Sequence, residues 1–294
     1  MKSIWVSPFG PVIAEENWKL YDEMIDAAIH LAKEHKVLFL KTDFDTLADD
    51  HDRIEFMKSK KFLCNPKGQI YLLGRPKNIL RVDLSPDPES IFSSFSKTLK
   101  SNIRIAQKNN IRIEQGFGDG REIDQFYRMY LHTAARKKFS VRRIRYFKAI
   151  KECMIDRGYG EIFWGIYENI PVVSALIFKY GKTIWYMFGA TDGKYRHTCA
   201  AHLLQWKIIQ WAKEQGVTIY DQRGITPNPE PGTAGYGVYF FKKQFNPVVY
   251  RYTSDWWYPV SSAGLKLWFR GVDEIDKMRY FYGAKIVPFL SRLR

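Results

Sequence analysis

The chain has 294 residues, with 46 Lys and Arg against 31 Asp and Glu, a net charge of +15. Its three cysteines, Cys64, Cys153 and Cys199, lie far apart; this excludes a disulfide framework and a cysteine-based zinc site and fits a reducing compartment. No run of 18 uncharged apolar residues occurs, so a membrane span is not expected, and the positive surplus favours polyanionic partners: nucleic acid, phosphorylated metabolites or an anionic membrane surface.

Turn residues Ser7-Pro8-Phe9-Gly10-Pro11 lead into an apolar stub. Trp18, Tyr21, Met24, Ile25, Ala28 and Leu31 recur at helical spacing and predict a helix over 17–35. Residues 37–41 read as a buried strand, 49–60 as a second helix, and 69–73 and 79–84 as strands. The next expected helix, 91–109, sets Ile91, Phe95, Leu99, Ile103 and Ala106 on one face. Lys97, Lys100, Arg104 and Lys108 fall on another, either a solvated basic face or a groove wall for a polyanion.

A strand over 111–115 follows, and Asp119 is placed to cap a helix carrying Ile123, Phe126, Tyr127 and Tyr130 towards Thr133, Arg136 and Phe139. Beyond it Lys137, Lys138, Arg142, Arg143, Arg145, Lys148 and Lys151 interleave with Tyr146 and Phe147, a mixture that suits phosphate contact plus stacking. Three β-rich runs, 161–167, 171–180 and 183–188, form a meander turned at Glu168-Asn169 and Gly181-Lys182. A helix over 197–214 is closed by Gly216, and a short strand over 217–220 runs into a loop beginning at Asp221 and rich in proline and glycine. After Gly237 a short helix carries Phe241, Lys242 and Phe245. A lysine one turn into a helix start suits a phosphate or a developing negative charge; an amphipathic turn with snorkelling lysines is the alternative.

From Ile111 onward this order matches an acyltransferase fold of the acetyl-CoA-using type. That fold wraps pyrophosphate in a glycine-bearing turn between meander and helix. Here the turn reads Arg196-His197-Thr198-Cys199-Ala200-Ala201, with Cys199 in the glycine place, which argues against acetyl-CoA.

Several patches together carry a resemblance. They are Gly10-Pro11-Val12; Leu99 to Ala106 ahead of Asn110-Ile111-Arg112-Ile113; Thr133, Arg136 and Phe139; Tyr186 to Ala190; Tyr220 to Ile225; and Gly237 to Phe245. In order and spacing the chain resembles the FemABX family of non-ribosomal peptidyltransferases. The resemblance implies an α/β (α+β) fold of two GNAT-like domains around a shared cleft, the first short at its N-terminus and without the family's coiled-coil arm. The domains are expected at 1–85 and 86–252, with 253–294 packing back on the first.

The resemblance further implies transfer of an amino acid from aminoacyl-tRNA to an amine on the stem peptide of a UDP-linked or lipid-linked peptidoglycan precursor. Aminoacyl-tRNA is the co-substrate, and no other cofactor and no metal is expected. Lys242 is the implied catalytic residue near the reacting centre, and Arg136 the implied contact to the precursor diphosphate. Thr133, Phe139, Phe241, Tyr186 and Arg223 are expected to line the substrate, and the basic residues Lys97, Lys100, Arg104, Lys108, Arg142 and Arg143 to meet tRNA or other phosphates. The location implied is cytoplasmic, at the inner face of the membrane, where the basic, aromatic segment after Trp256-Trp257-Tyr258 suits docking on anionic lipid.

An aminoacyl ester is already activated, so the reaction needs a neutral amine held near the carbonyl and a donor for the oxyanion. Lys242 offers that charge. Asp221 reads as a strand-end turn residue rather than a proton acceptor, and His197 and His202 as structural. Other readings are an acyl-CoA N-acyltransferase, a tRNA-dependent enzyme acting on a small peptide metabolite, and a non-catalytic basic binding protein. Cys199 weighs against the first, and the Phe241-Lys242 segment against the last.

Overall fold

The computed structural model describes residues 3–13, 17–43, 46–64, 76–116, 120–137, 139–226, 228–253, 255–271 and 274. The expected strand at 69–73, the Asp119 cap, Lys138 and the tail after 274 lie outside these residues. In chain order the elements are β1 (Trp5–Pro8), α1 (Trp18–Glu34), β2 (Phe39–Asp43), α2 (His51–Ser59), β3 (Leu63–Cys64), β4 (Asn78–Asp83), α3 (Pro88–Ser94) and α4 (Lys97–Lys108). There follow β5 (Arg112–Gln115), α5 (Glu122–Lys137), α6 (Ile144–Ile150), β6 (Gly160–Tyr167), β7 (Ile170–Tyr180), β8 (Thr183–Thr191), α7 (Ala200–Glu214), β9 (Ile219–Ile225), α8 (Tyr236–Lys243), β10 (Val248–Arg251) and β11 (Trp256–Pro259).

The described residues form two units that are not contiguous in sequence. Among the described residues the first takes those within 3–79, 224–228 and 250–274, and the second those within 80–223 and 229–249. In the first unit the strand order is β1-β2-β11-β3. The Trp256-Trp257-Tyr258 strand therefore lies between β2 and β3, antiparallel to both. Asn17 caps α1 by accepting from the Leu20 N–H, and Tyr21, Ile25, Ile29 and Ala32 fill one face of that helix. Lys41 is fully buried on β2, with Asp255 at 3.4 Å and Asp43 at 3.9 Å. A buried ammonium needs such counter-charges to remain in place.

The second unit holds a seven-stranded sheet of order β10-β4-β9-β8-β7-β6-β5. Leu99, Ile103 and Ala106 of α4 join Leu203, Leu204 and Ile208 of α7 on one face, over Phe163, Val173 and Ile177. Ile123 and Phe126 of α5 and Phe147 of α6 cover the other, over Trp164 and Leu176. Each buried Leu, Ile, Val or Phe here contributes about 1.5–3 kcal/mol relative to exposure. The meander is as expected, and its Glu168-Asn169 turn holds both residues in the left-handed region (φ 48° and 64°).

Three expectations are corrected here. The helix over 91–109 is two helices. Phe95 is extended (φ −64°, ψ 151°), and Ser96 restarts the helix by accepting from the Leu99 N–H. The helix over 197–214 is a 3-10 turn (Gly193–Thr198) followed by α7, separated by Cys199 in the left-handed region (φ 56°). The strand expected over 217–220 runs on to Ile225, so Asp221, Gln222 and Arg223 are strand residues rather than loop.

Candidate active site

Strands β8 and β9 run parallel but pair only at Thr183–Ile219, Ile184–Tyr220 and Trp185–Asp221. Beyond Asp221 the two part, among the described residues, and the parting begins at the residues the sequence singles out. Asp221 is 1% exposed. Its carboxylate accepts from Arg81 Nε at 3.2 Å and from the Arg223 backbone N–H at 2.7 Å. Arg223 itself has φ 65°, a conformation costly for a residue with a Cβ, held here by that bond to its neighbour. Gln222, 1% exposed, carries a side-chain oxygen with no hydrogen-bond partner among the described residues.

Lys242 is 6% exposed. It lies in the last turn of α8, so the N–H groups of that helix start do not face it, contrary to expectation. Its own environment sets its chemistry instead. Burial lowers its pKa to about 8, opposed by Asp221 and assisted by the Arg223 guanidinium. The helix end is fixed by packing: Phe241 lies 5.5 Å from Phe245 and 5.1 Å from the His202 ring. Phe245 is fully buried, 5.4 Å from Phe95. The Ser96 N–H donates to the Gln244 carbonyl at 3.0 Å.

A second group forms where α5 meets the end of β8. Thr133 Oγ1 donates to the Thr191 carbonyl at 3.0 Å and accepts from the Thr191 N–H at 2.8 Å. Arg136 donates to Thr191 Oγ1 at 2.6 Å and to its carbonyl at 3.1 Å. Gly193 makes room for it, since a Cβ there would lie 3.0 Å from Arg136 Cδ and Nε. Burial and the nearby Arg196 guanidinium lower the Arg136 pKa, against Asp192; burial, Arg136 and Arg196 do the same to Lys137. Three cations crowded beside one carboxylate make a locus of positive potential suited to an anion. In the sequence Arg196 stands only as the first residue of the turn that carries Cys199 in the glycine place. Its place beside Arg136 depends on the approach of α5 to β8, which spacing does not reveal.

The remaining residues are placed as follows. Phe139 packs on Tyr130 at 5.4 Å. Tyr186 is half-buried with its hydroxyl against Gly189, and burial pushes its pKa up. Gly189→Ala is expected to drive a methyl into that hydroxyl and to destabilise the protein by about 1–3 kcal/mol; urea unfolding checks this, and adding Tyr186→Phe should recover part of the loss. Lys97, Arg104 and Lys108 are exposed on α4, and Lys100 is tied to the Ser93 carbonyl at 2.9 Å. Arg142 lies over the Tyr146 ring at 4.7 Å, and Arg143 is exposed at the start of α6. Cys199 Sγ turns to Asn102 Oδ1 at 3.7 Å, and Asn102 Nδ2 lies 3.3 Å from His202 Nε2. His202 thus packs between α4 and Phe241. Among the described residues no group of three or more His, Cys, Asp or Glu is arranged to hold a metal, and no helix is long and apolar enough to cross a membrane.

A family model described as the FemAB family matches residues 73–157 and 165–268. The chain belongs to the FemAB family. A relative, a UDP-N-acetylmuramoylpentapeptide-lysine N(6)-alanyltransferase of Weissella viridescens, is 25% identical over 245 residues, spanning 80% of this chain and 69% of its own. A lipid II:glycine glycyltransferase of Staphylococcus saprophyticus is 23% identical over 300 residues, spanning 80% and 71%. Among solved structures, a crystal structure of FemX superposes with a TM-score of 0.79 at 19% identity, over 89% of this chain and 82% of that one. A tandem GNAT protein of the clavulanic acid pathway does so at 0.51 and 10% identity, over 87% and 75%. The FemAB chain thus has the mixed α/β, GNAT-like fold expected of it, and its named relatives are transferases of amino acids to peptidoglycan precursors.

Proposed function

We propose that this FemAB protein transfers an amino acid from aminoacyl-tRNA to an amine on the stem peptide of a peptidoglycan precursor. The observation that carries the reading is a lysine, Lys242, buried beside Asp221 and Arg223 where β8 and β9 part. The acceptor amine attacks the ester carbonyl carbon. A C–N bond forms as the ester C–O bond breaks, and the terminal ribose hydroxyl leaves, taking up the proton the amine releases. With a pKa near 8, Lys242 is mainly an ammonium at neutral pH, able to donate to the oxyanion, and close enough to neutrality to pass a proton to the leaving oxygen. Asp221 holds the lysine in its charged form and is already engaged by Arg81 and the Arg223 N–H. It supports the lysine rather than acting as base. The supply of an activated ester removes the need for ATP, metal or another cofactor.

The Arg136, Lys137 and Arg196 group fits the diphosphate of a UDP-linked or lipid-linked acceptor, with Thr133 fixing the strand end beneath it. Arg136→Ala is expected to raise KM for such an acceptor about tenfold to a hundredfold while changing kcat little, the scale of lost charge-assisted hydrogen bonds. Steady-state kinetics with a UDP-muramoyl peptide measures this, and an unchanged KM would remove Arg136 from the acceptor site. The reading as a whole is tested by incubating the protein with charged tRNA pools and muropeptide acceptors and weighing the product. Acceptors that never gain an aminoacyl mass would refute it. The work is assigned to the cytoplasmic side of the membrane, where charged tRNA and these precursors meet.

A further inference from the structure

We infer that a cavity at the end of α4 is the seat of an unpaired nucleotide from the 3′ end of the RNA donor, an inference that rests on the aminoacyl-tRNA reading above. The cavity measures about 450 Å³ and is lined by Lys108, Asn109, Arg112, Tyr167, Glu168 and Asn169 among others. Small-ligand sites run roughly 300–1,000 Å³, so one nucleotide fits.

Strand registers fix its level in the sheet. Thr191 at the end of β8 faces Val173, Val173 faces Gly165, and Gly165 faces Ile113, next to Arg112. The cavity therefore opens at the end of the sheet where β8 finishes. Strand β9 runs parallel to β8, so Asp221 and Arg223 lie towards that same end. The cavity at the β5 edge and the Lys242 site thus lie towards the same end of one sheet, with β6, β7 and β8 between β5 and β9.

The lining supplies the parts such a ligand needs. Lys108 is exposed and ends the basic row of α4, after Lys97, Lys100 and Arg104. Arg112 joins it, steadied by Asn169 Oδ1 at 3.1 Å and Glu114 at 3.6 Å. Two cations at the mouth suit a backbone phosphate. Tyr167 is part of a ring cluster with Tyr195 at 6.0 Å and His197 at 6.3 Å, and Tyr195 and His197 lie 6.5 Å apart. His197 is exposed and the two tyrosines half-buried, so ring surface remains for a base to stack on. Glu168, whose carboxylate sits beside the Tyr167 hydroxyl, is an acceptor for an exocyclic amino group, and Asn109 and Asn169 are amides of the kind that read base edges. This arrangement fits a base with its phosphate better than a free phosphate, for which the ring cluster and the carboxylate have no use.

The test is fluorescence anisotropy with two RNA hairpins, one ending in an unpaired ACCA tail and one blunt. Wild-type protein should bind the tailed hairpin at least about tenfold tighter. Tyr167→Ala and His197→Ala should each lose about tenfold on the tailed hairpin and little on the blunt one, while Tyr167→Phe keeps the tail preference. Arg112→Gln should lower the salt dependence of tailed binding by about one phosphate contact. Because His197 is exposed, its variant reports even if Tyr167→Ala fails to fold. Equal binding of both hairpins by wild type, or an undiminished tail preference in the His197 variant, overturns the inference and leaves the tRNA reading standing. Failure of wild type to bind either hairpin overturns that reading and the inference with it.

Discussion

Lys242→Met is expected to abolish transfer and at the same time make the protein harder to unfold. The ammonium is held at 6% exposure with its pKa lowered from 10.5 to about 8. The folded state therefore resists a proton that the unfolded chain accepts freely. At 1.36 kcal/mol per unit, this costs up to about 3 kcal/mol of stability, less whatever the lysine's contacts return. The sign follows from the direction of the shift. The cost is fully present below pH 8, fades as pH rises towards 10.5, and is absent above that. Methionine fills the same volume without a charge, so its gain should be about 1–3 kcal/mol at pH 6.5 and near zero by pH 10.5. Urea unfolding at the two pH values measures it, beside a transfer assay in which kcat falls by about a thousandfold or more. A variant that still transfers, or one equally stabilised at both pH values, would show that the charge of Lys242 is not what the site is built to hold.

Asp221→Asn is expected to move the alkaline limb of the rate profile to lower pH. Asp221 is the anion that raises the Lys242 pKa against burial and Arg223. Without it the lysine loses its proton below pH 8, and at pH 8 transfer should fall by about tenfold or more while the loss at pH 6.5 is smaller. Asparagine still accepts from the Arg223 N–H, so the strand end keeps its shape. Arg81 loses an anionic partner at 3.2 Å, but it is 27% exposed, which limits the stability loss to about 1–2 kcal/mol. A rate–pH profile settles the point: an unmoved alkaline limb would mean that some other group sets it. Asp221→Ala should cost more, since it also strands the Arg223 N–H.

Much of the second unit was legible because its signals are local. The meander turns, the Gly216 helix end and the buried stripe of α4 each depend on a few neighbouring residues. The break at Phe95-Ser96 is not legible, since the apolar spacing runs straight through it and only the Ser96 cap marks the restart of the helix. In the sequence Asp221 reads as a strand-end turn residue because a loop rich in proline and glycine follows it. In the fold it is buried, and its carboxylate accepts from Arg81, which is 140 residues away in sequence. The short helix after Gly237 and the resemblance both point to Lys242, yet the reason for its altered acidity, deep burial near an acid and an arginine, belongs to tertiary structure alone. In the first unit the buried strand that ends in Lys41 is legible, but the lysine's partner Asp255 is not, because it arrives from the far end of the chain.

The junction between α3 and α4 has a consequence for the exchange of parts between relatives. Ser96 starts the helix that bears Lys97, Lys100, Arg104 and Lys108, and its own N–H fastens the chain just past Lys242 through the Gln244 carbonyl. Phe95 and Phe245 lock the same joint from the side. Segments 95–108 and 236–245 therefore behave as one heritable module: a chimera that takes either from another family member without the other inherits a mismatched joint, whereas one that takes both carries the joint across intact.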